Sequence, residues 1–549
     1  MCGIFLYIQK QIEQKKQIKE IYEKFNNLKH RGPEASLFNT FIREEYNDEI
    51  NLGFHRLKIM KTKGETGMQP FYCPITNTYL LMNGEIYNYK ELLEELNLSS
   101  YNLKSDCEII QLLYKHFTIE QIVNKIRGEY AFIILDLNIN KIIIARDELG
   151  IRPIFYNITN NDISISSEYK GLVNNNISKQ IEPSTIYIFN LNDYNDIYKK
   201  CYYNIDKIKS NDLYKELIKD KFIEAIEKRL FSERQIGFLL SGGFDSSLVL
   251  AIASDIIIKK NLIHLIPINA FSIQYIGENN NHTNNKKIEE NEDIKHAKDV
   301  VNFLNKKYKK NIINHKIVYF DKQMGLDAIS EVIYYLESKC ITTIRASTPM
   351  YLLVKYIKKN TDIKVLFSGE CADELFFSYL YRCYAPSAIE FDKECKKLLK
   401  NIYLYDVLRA DRIISSQGLE ARVPFSDRDF IFEYLATDLK YRYEPDKIEK
   451  YLIREVFINN YLPEKTRLRT KEAFSNSVNS DQADWIGDII EFCKKQNMSE
   501  EEYYISLMKM NNYPIDLVSE NWLPNKKWID TNGEPSATVL SVYNNSKKK

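Results

Sequence analysis

The residues best suited to chemistry lie in the stretch RQIGFLLSGGFDSSLVLAIA, residues 234–253. An apolar strand is predicted to end at Leu240, a tight turn to follow over 241–243, and a helix to begin at about Ser246. Glycines let backbone amides approach an anion, and a helix N-terminus adds a favourable dipole. The stretch therefore predicts a phosphate-binding loop. It lacks the Gly-Lys-Ser/Thr ending of a Walker A loop.

A second chemical stretch, VLFSGECADELFFSY (365–379), again follows a predicted strand and is rich in acids. The carboxyl ends of parallel strands converge on one crevice, so this turn is expected to face the first. Acids at a helix N-terminus are also favoured by the helix dipole alone, and that interpretation stays open. Asp245 in the first loop would repel phosphate unless a cation such as Mg²⁺ bridges them. Lys450 and Lys471 could offset charge on a transferring phosphoryl group.

The N-terminus, MCGIFLYIQK, places a cysteine directly after the start methionine. Removal of Met1 would leave a thiol and a free α-amine on Cys2, a recognised arrangement for a nucleophile and its base. A cysteine is more often a small buried hydrophobe, which is the alternative.

Polar stretches at 30–34, 53–60, 82–88 and 104–108 could serve this nucleophile. Arg56 could hold a substrate α-carboxylate through its forked guanidinium. Asn83 and the N–H of Gly84 could stabilise an oxyanion. Asp106 could pair with an α-ammonium, although the capping-box pattern Ser105-x-x-Glu108 gives it a purely structural alternative.

The composition excludes several classes of protein. The 549 residues carry a formal net charge of +1, which argues against a nucleic-acid or membrane-surface partner. The nine cysteines are scattered, so neither a disulfide framework nor a structural zinc site is expected. No apolar run is long enough for a membrane span, and no secretory leader is recognisable, so a reducing cytosol is predicted.

The chain is long enough for at least two domains. The first 200 or so residues contain short strand-like runs, such as the YAFIILDL and KIIIARD pair joined by an Asn-rich turn. Beyond a boundary near 201–213, strand-like and helical segments alternate, which predicts a mostly parallel sheet. The polar stretch 277–292 is interpreted as a surface insertion, and the terminal NNSKKK as a solvated tail.

Taken together, the N-terminal stretches resemble the class II glutamine amidotransferase domain, and SGG-x-DSS resembles the loop of N-type ATP pyrophosphatases. Further stretches extend the likeness along the chain: DELGIRPIFY (147–156), TTIRASTPMYL (342–352), GLEARVPFSD (418–427) and IEKYLIRE (448–455). The whole chain resembles the glutamine-hydrolysing asparagine synthetases. The resemblance implies an αββα Ntn-hydrolase sandwich over 2–205 and an α/β domain with a parallel sheet and added helices over 213–549.

The resemblance also implies a reaction and its participants. Cys2 would attack glutamine to give a glutamyl thioester and ammonia, which would cross between the domains without meeting water. Aspartate and ATP would form β-aspartyl-AMP and release pyrophosphate. Ammonia would then displace AMP from this intermediate to give asparagine. The implied ligase uses ATP and Mg²⁺, acts on small molecules, needs no nucleic acid or membrane, is cytoplasmic, and is compatible with a homodimer.

The resemblance assigns roles to individual residues. The catalytic residues would be Cys2, Asn83, Gly84, Glu370 and Lys450. Glutamine would be held by Arg56, Leu57, Lys58, Ile59, Met60, Asn83, Gly84, Glu85 and Asp106. ATP and pyrophosphate would be held by Leu240, Ser241, Gly242, Gly243, Asp245, Ser246, Ser247, Ile273, Ser368 and Gly369. Asp245 and Asp373 would be the Mg²⁺ ligands.

The chain departs from the family pattern at several positions. Phe244 replaces the usual leucine of the loop, and Glu34 stands where aspartate is common. The acidic turn reads SGECADELFFSY where SGEGSDEVFGGY is expected, so that Cys371, Ala372, Phe377 and Ser378 replace small or flexible residues. An amidotransferase acting on another carboxylate, a non-catalytic descendant and an ammonia-only synthetase are the alternatives.

Overall fold

A computed structural model describes residues 1–10, 15–60, 66–174, 178–212, 214–278, 288–444, 446–480, 483–517 and 524–529. The chain divides into two compact units. The first contains Met1–Asn204, Ser232–Arg234 and Ser415–Glu420, and the second contains the remaining described residues. Most of the predicted insertion at 277–292, and the whole predicted tail at 544–549, lie outside the described residues.

The first unit contains two six-stranded sheets within its described residues, ordered β10-β8-β9-β1-β3-β2 and β12-β11-β7-β6-β5-β4. Its strands are β1 Gly3–Lys10, β2 Ala35–Arg43, β3 Asp48–Arg56, β4 Phe71–Cys73, β5 Thr78–Ile86, β6 Gly128–Asp136, β7 Lys141–Arg146, β8 Phe155–Ile158, β9 Asp162–Ser166, β10 Ser178–Gln180, β11 Thr185–Asn190 and β12 Ile197–Cys201. Its helices are α1 Ile18–Asn26, α2 Tyr89–Glu95, α3 Ile109–Leu113 and α4 Ile119–Lys125.

Strands that are apolar on both faces explain the layering of this unit. In β1, Ile4, Leu6 and Ile8 enter the core between the two sheets, whereas Phe5 and Tyr7 pack with α1 on the other side. Side chains alternate between faces along a strand, so one strand serves two layers. The other sheet packs in the same way against α2, α3 and α4. The predicted αββα sandwich is confirmed.

The predicted hairpin is present in this unit. β6 and β7 pair antiparallel, with Ala131 opposite Arg146 and Asp136 opposite Lys141. Asn140 in the connecting turn has a φ of +52°, a left-handed conformation that asparagine tolerates better than most residues.

The second unit has a five-stranded sheet ordered β15-β14-β13-β16-β17. The strands are β13 Ile236–Leu239, β14 Ile268–Tyr275, β15 Ile313–Phe320, β16 Val365–Phe367 and β17 Glu420–Arg422. β13 pairs in parallel with both β14 and β16, and β14 pairs in parallel with β15. From β13 the chain adds β14 and β15 on one side of the sheet, and then adds β16 on the other side of β13. The carboxyl ends of β13 and β16 therefore flank a topological switch point, where ligand crevices form in such sheets.

Helices α5 to α19 surround this sheet: α5 Lys215–Arg229, α6 Phe244–Lys259, α7 Glu292–Lys307, α8 Lys322–Leu336, α9 Ile341–Asn360, α10 Ala372–Leu375, α11 Ala388–Asn401, α12 Asp406–Ser415, α13 Arg428–Ala436, α14 Leu439–Arg442, α15 Tyr451–Val456, α16 Glu464–Arg467, α17 Phe474–Ser477, α18 Trp485–Lys495 and α19 Glu500–Met510. The predicted parallel-sheet domain with added helices is confirmed. Among the helices described, none has the length and apolar character needed to cross a membrane.

Candidate active site

Cys2 lies at the start of β1 in the first unit, half-buried against the core between the sheets. Its backbone N–H donates to Asn83 Oδ1 at 2.9 Å, and its carbonyl accepts from Arg31 Nε at 3.0 Å. The thiol lies 3.9 Å from the carbonyl oxygen of Leu57. The backbone of Cys2, immediately before β1, is therefore held by hydrogen bonds on both sides, which suits the predicted role as a nucleophile.

Met1 precedes Cys2 and is almost completely buried. Its terminal amine lies 3.6 Å from Glu420 Oε2, within the same unit. Burial lowers the pKa of this amine, while the charge of Glu420 opposes that effect. Burial raises the pKa of the Cys2 thiol, and the positive amine opposes that effect in turn. The base function predicted for a free α-amine on Cys2 requires that Met1 be removed.

Asn83 and Gly84 follow each other near the end of β5 and beside Cys2. Asn83 is fully buried, and its Nδ2 has no hydrogen-bond partner among the described residues, although its Oδ1 accepts from the Cys2 backbone N–H. A buried unpaired donor next to a nucleophile is the arrangement that an oxyanion needs. Gly84 has a φ of +148°, and an added Cβ would lie 2.1 Å from the Glu129 carbonyl oxygen. Only glycine fits there.

Arg56, at the end of β3, binds the backbone of the following segment. Its Nη1 donates to the Thr66 carbonyl at 2.5 Å and its Nη2 to the Met60 carbonyl at 3.0 Å. The Lys58 N–H donates to Glu34 Oε2 at 2.7 Å. Glu34, which stands where aspartate is common in the family, therefore still provides a carboxylate that binds the backbone of this segment. Leu57 and Ile59 are buried, whereas Lys58 and Met60 are half-buried.

Asp106 begins a short 3-10 helix at Asp106–Glu108 and is mostly buried. Its Oδ2 accepts from the Ile86 N–H at 2.7 Å and its Oδ1 from Ser105 Oγ at 2.9 Å. Ser105 caps the helix through Cys107, but Glu108 accepts from the Lys104 N–H. The cap therefore runs through Cys107 in place of Glu108, and Glu108 binds Lys104 in place of Ser105, so the reciprocal capping box that the pattern indicated is wrong, whereas the first-turn position of Asp106 is confirmed. Burial raises the pKa of Asp106, and the bond from Ile86 opposes that effect.

A cavity of about 300 Å³ opens beside Asp106. Of the residues predicted to hold glutamine, only Met60 and Asp106 line it, together with α2 residues such as Tyr89 and the neighbouring Tyr101. Glu85 is half-buried at the end of β5. The structure thus places Cys2, Asn83 and Gly84 in one group, and Met60 and Asp106 around this cavity.

In the second unit the predicted phosphate-binding loop joins β13 to α6. The helix begins at Phe244, two residues earlier than predicted, with Gly243 as its N-cap. Gly242 has a φ of +75°, and an added Cβ would lie 2.3 Å from the Asp293 carbonyl oxygen. Ser246 Oγ lies 3.0 Å from Ser241 Oγ and accepts from the Ser241 N–H at 3.2 Å. These contacts close the loop around the helix N-terminus.

A cavity of about 160 Å³ lies over this loop. The predicted ATP-site residues that line it are Leu240, Ser241, Gly243, Asp245, Ser246, Ile273, Ser368 and Gly369. The predicted residues Gly242 and Ser247 do not line it. Ser247 is fully buried, and within the part of the chain that the structure describes its hydroxyl has no hydrogen-bond partner. Phe244 also lines the cavity, and the Arg454 guanidinium lies 4.7 Å from the centre of its ring.

The acidic turn, residues 368–379, lies next to this loop. A Cβ added to Gly369 would lie 3.0 Å from the Ser246 backbone nitrogen, so the two turns meet closely. Lys450 Nζ contacts the carboxylates of both Asp245 and Asp373, the latter at 2.6 Å. Lys471 Nζ also contacts Asp373. Burial would raise the pKa of Asp373, but the two lysines outweigh it and hold that pKa below its ordinary value.

Glu370 forms an ion pair with Arg409. Its Oε2 accepts from Arg409 Nη2 at 2.6 Å, and Arg409 Nη1 lies 2.7 Å from Asp406 Oδ1. Burial raises the pKa of Glu370 to about 7, with Arg409 acting in the opposite direction. Glu370 is thus poised to gain or lose a proton near neutral pH.

Three non-glycine residues near the cavity have left-handed backbones. Lys450 has a φ of +61° immediately before α15, and Cys371 and Phe377 have φ values of +74° and +43° at either end of α10. The last two are the positions where glycine was expected. Such conformations persist only where the surroundings enforce them, and they concentrate at functional sites.

Comparison with known proteins decides the family. Residues 1–224 match the model of the glutamine amidotransferase domain, and residues 217–394 and 384–506 match that of asparagine synthase. The probable glutamine-hydrolyzing asparagine synthetase of Acanthamoeba polyphaga mimivirus is 37% identical, over 99% of this chain and 100% of its own length. The glutamine-hydrolyzing asparagine synthetases of Rattus norvegicus and Homo sapiens are 35% and 33% identical, each over 95% of this chain and 96% of its own length. The chain belongs to the glutamine-hydrolysing asparagine synthetase family. The family predicted from the sequence motifs is confirmed.

For an asparagine synthetase that uses Mg²⁺, the donor set must suit the ion. No group of three or more His, Cys, Asp or Glu among the described residues is arranged for a metal. Asp245 and Asp373 offer two carboxylates that share the ammonium group of Lys450, and no described residue forms a hydrogen bond with the buried Asp245 Oδ1. Mg²⁺ commonly binds one or two carboxylates together with substrate phosphates, so this pair fits.

Sequence reasoning missed three arginines that line this cavity: Arg409, Arg454 and Arg469. Arg409 lies on α12, and Arg469 Nη2 lies 2.6 Å from Asp293 Oδ1. Arg409 stands three residues after Asp406, an ion-pair spacing on a helix, but nothing local links it to Glu370.

Proposed function

We propose that the chain makes asparagine from aspartate, with glutamine as the nitrogen donor and ATP converted to AMP and pyrophosphate. The observation that carries the proposal is the cation–carboxylate cluster over the phosphate-binding loop, with Lys450 shared between Asp245 and Asp373. Full-length similarity to asparagine synthetases supports it. The asparagine synthase domain implies the use of ATP.

In the first unit, the Cys2 thiol would attack the γ-amide carbonyl of glutamine once Met1 is removed. The thiol proton would pass through the α-amine to the leaving nitrogen, giving ammonia and a glutamyl thioester that water then hydrolyses. Asn83 Nδ2 and the Gly84 N–H would stabilise the oxyanion. Arg56, residues 57–60, Glu85 and Asp106 would hold glutamine, with Met60 and Asp106 nearest the cavity.

In the second unit, an aspartate β-carboxylate oxygen would attack the α-phosphorus of ATP, forming β-aspartyl-AMP and releasing pyrophosphate. The serines and glycines over 241–247 would hold the pyrophosphate, and Leu240, Ile273, Ser368 and Gly369 would frame the nucleotide. Ammonia would then displace AMP. Glu370, with a pKa of about 7, is suited to take the proton from the attacking ammonia, and Lys450 to offset phosphoryl charge.

Asp245 and Asp373 would hold Mg²⁺, which when bound would offset the charge of the phosphates. Cytoplasmic location and a homodimer stay predictions from the sequence.

The test is a comparison of nitrogen sources. Wild type and Cys2→Ala are assayed for asparagine and pyrophosphate with aspartate, ATP and Mg²⁺, and either glutamine or ammonium. We expect wild type to use both sources and Cys2→Ala to use only ammonium. Cys201→Ala, which changes an exposed cysteine in the same unit, is the control and should match wild type. Mass spectrometry of the untagged protein checks that it begins at Cys2.

One further result would redirect the proposal to an alternative. The departures in the acidic turn, Cys371 and Phe377 above all, alter the surroundings of the adenylation site. If wild type hydrolyses glutamine but makes neither asparagine nor pyrophosphate from aspartate, the acceptor is another carboxylate or the second unit is inactive. Pyrophosphate release with a panel of carboxylates then separates these two cases.

A further inference from the structure

Residues 524–529, called here the C-terminal strap, pack beside the acidic turn. The Trp528 ring lies 6.0 Å from the Phe377 ring and 6.1 Å from the Tyr381 ring, measured between centroids. At the other end of the strap, Asn525 Nδ2 donates to Glu394 Oε2 at 2.7 Å. The other oxygen of Glu394 accepts from the Tyr381 hydroxyl at 3.1 Å. The strap therefore contacts the rest of the unit through Trp528 and through Asn525, and Tyr381 takes part in both contacts, directly with Trp528 and through Glu394 with Asn525.

Phe377 is the residue that makes this contact unusual. It has a φ of +43° and no solvent exposure, at a position where the family pattern has glycine. A bulky residue with a left-handed backbone is a genuine outlier and needs its surroundings to hold it. The surroundings here are the rings of Tyr381 at 5.1 Å, Phe391 at 5.0 Å and Trp528. The strap thus supplies part of the packing that keeps Phe377 in place.

The residue after Phe377 connects this packing to Asp373, one of the two proposed Mg²⁺ ligands. Ser378 Oγ donates to Asp373 Oδ1 at 2.5 Å, and the Ser378 N–H donates to the Asp373 carbonyl at 2.9 Å. Asp373 in turn contacts Lys450 and Lys471. A displacement of Phe377 would therefore move Ser378 and, through its two hydrogen bonds, Asp373.

We propose that Trp528 is a positioning residue for adenylation: through Phe377 and Ser378, the strap holds Asp373 in line with its two lysines. This inference rests on the proposed function, because it concerns the ATP-dependent half of that reaction. It assigns no role to the strap in glutamine hydrolysis. Phe377 stands where the family pattern has glycine, and its contact with Trp528 helps to hold the left-handed backbone that glycine would adopt without such support.

The experiment compares Trp528→Ala, Trp528→Phe and Lys526→Ala in the full chain. Lys526 is an exposed residue of the same strap, so its variant is the matched control. Ammonia-dependent asparagine formation is measured, so that the glutaminase does not limit the rate. We expect Trp528→Ala to lower kcat about tenfold, equivalent to about 1.4 kcal/mol, with little change in KM for ATP. Trp528→Phe should recover most of the rate, and Lys526→Ala and all glutaminase rates should match wild type.

Hydrogen exchange supplies a readout that does not depend on activity. In Trp528→Ala, the amides of Phe377 and Ser378, which donate to the Glu374 and Asp373 carbonyls, should exchange faster, while those of α6 should not change. Unchanged exchange in this turn would overturn the inference, even if the enzyme makes no asparagine at all. Failure of wild type to form asparagine or pyrophosphate would count against the proposed function instead.

A double-mutant cycle tests the route through Phe377. In a Phe377→Gly background the backbone strain and the ring contact are both gone, so adding Trp528→Ala should change kcat less than about twofold. An equal loss in both backgrounds would show that Trp528 acts independently of Phe377 and would overturn the inference.

Discussion

Replacing Glu370 by glutamine tests the electrostatics of the proposed adenylation site through stability as well as activity. Burial raises the pKa of Glu370 from 4.5 to about 7. Over that range the folded protein binds a proton that the unfolded chain has released, so the Glu370 contribution to stability is present below pH 4.5 and is lost as pH rises towards 7. At 1.36 kcal/mol for each pKa unit, the full loss is about 3 kcal/mol.

Glutamine keeps the shape of the side chain and an acceptor for Arg409, but it does not titrate. Relative to wild type, Glu370→Gln should therefore gain about 2 to 3 kcal/mol in free energy of unfolding between pH 5 and pH 8. At about 2 °C for each kcal/mol in a large domain, its Tm should rise relative to wild type by about 4 to 6 °C over that interval. Synthesis of asparagine should be lost at both pH values, because the amide cannot accept a proton.

The assay is scanning calorimetry of wild type, Glu370→Gln and Glu501→Gln at several pH values between 5 and 8. Glu501 is exposed on α19, so its variant controls for the charge change. A Tm difference between Glu370→Gln and wild type that stays constant from pH 5 to pH 8 would refute the reasoning, because it would mean that Glu370 does not titrate in this range in the folded protein.

Two further substitutions test local geometry. Asn83→Ala removes the unpaired Nδ2 beside Cys2 and should lower glutaminase kcat by about 10²- to 10³-fold while leaving ammonia-dependent synthesis intact. The exposed Asn39→Ala is its control, and a loss of less than threefold would argue against the oxyanion role. Gly242→Ala places a Cβ 2.3 Å from the Asp293 carbonyl at a φ of +75°, so it should destabilise the second unit by about 1 to 3 kcal/mol and abolish pyrophosphate release. Gly243→Ala, at a φ of −71° with its nearest atom 3.3 Å away, should keep wild-type Tm; equal effects of the two variants would contradict the argument.

Features that depend on neighbouring residues could be predicted before the fold was known. The strand, glycines and helix of the phosphate-binding loop could be predicted because φ preferences and the helix dipole act over a few residues. The β6–β7 hairpin followed from alternation and an asparagine-rich turn. Both sheets of the sandwich were implied by the family resemblance, and two apolar faces along β1 give the physical reason for its layers.

The contacts between distant charged and aromatic groups, by contrast, depend on the folded chain. Glu370 and Arg409 are separated by 39 positions, Asp373 and Lys471 by 98, and Phe377 and Trp528 lie in segments with no local pattern in common. Their partners depend on how helices close over the sheet, which no short window of sequence contains. The same reason explains Phe377: its left-handed backbone contradicts its local preference and is held by packing from elsewhere in the chain.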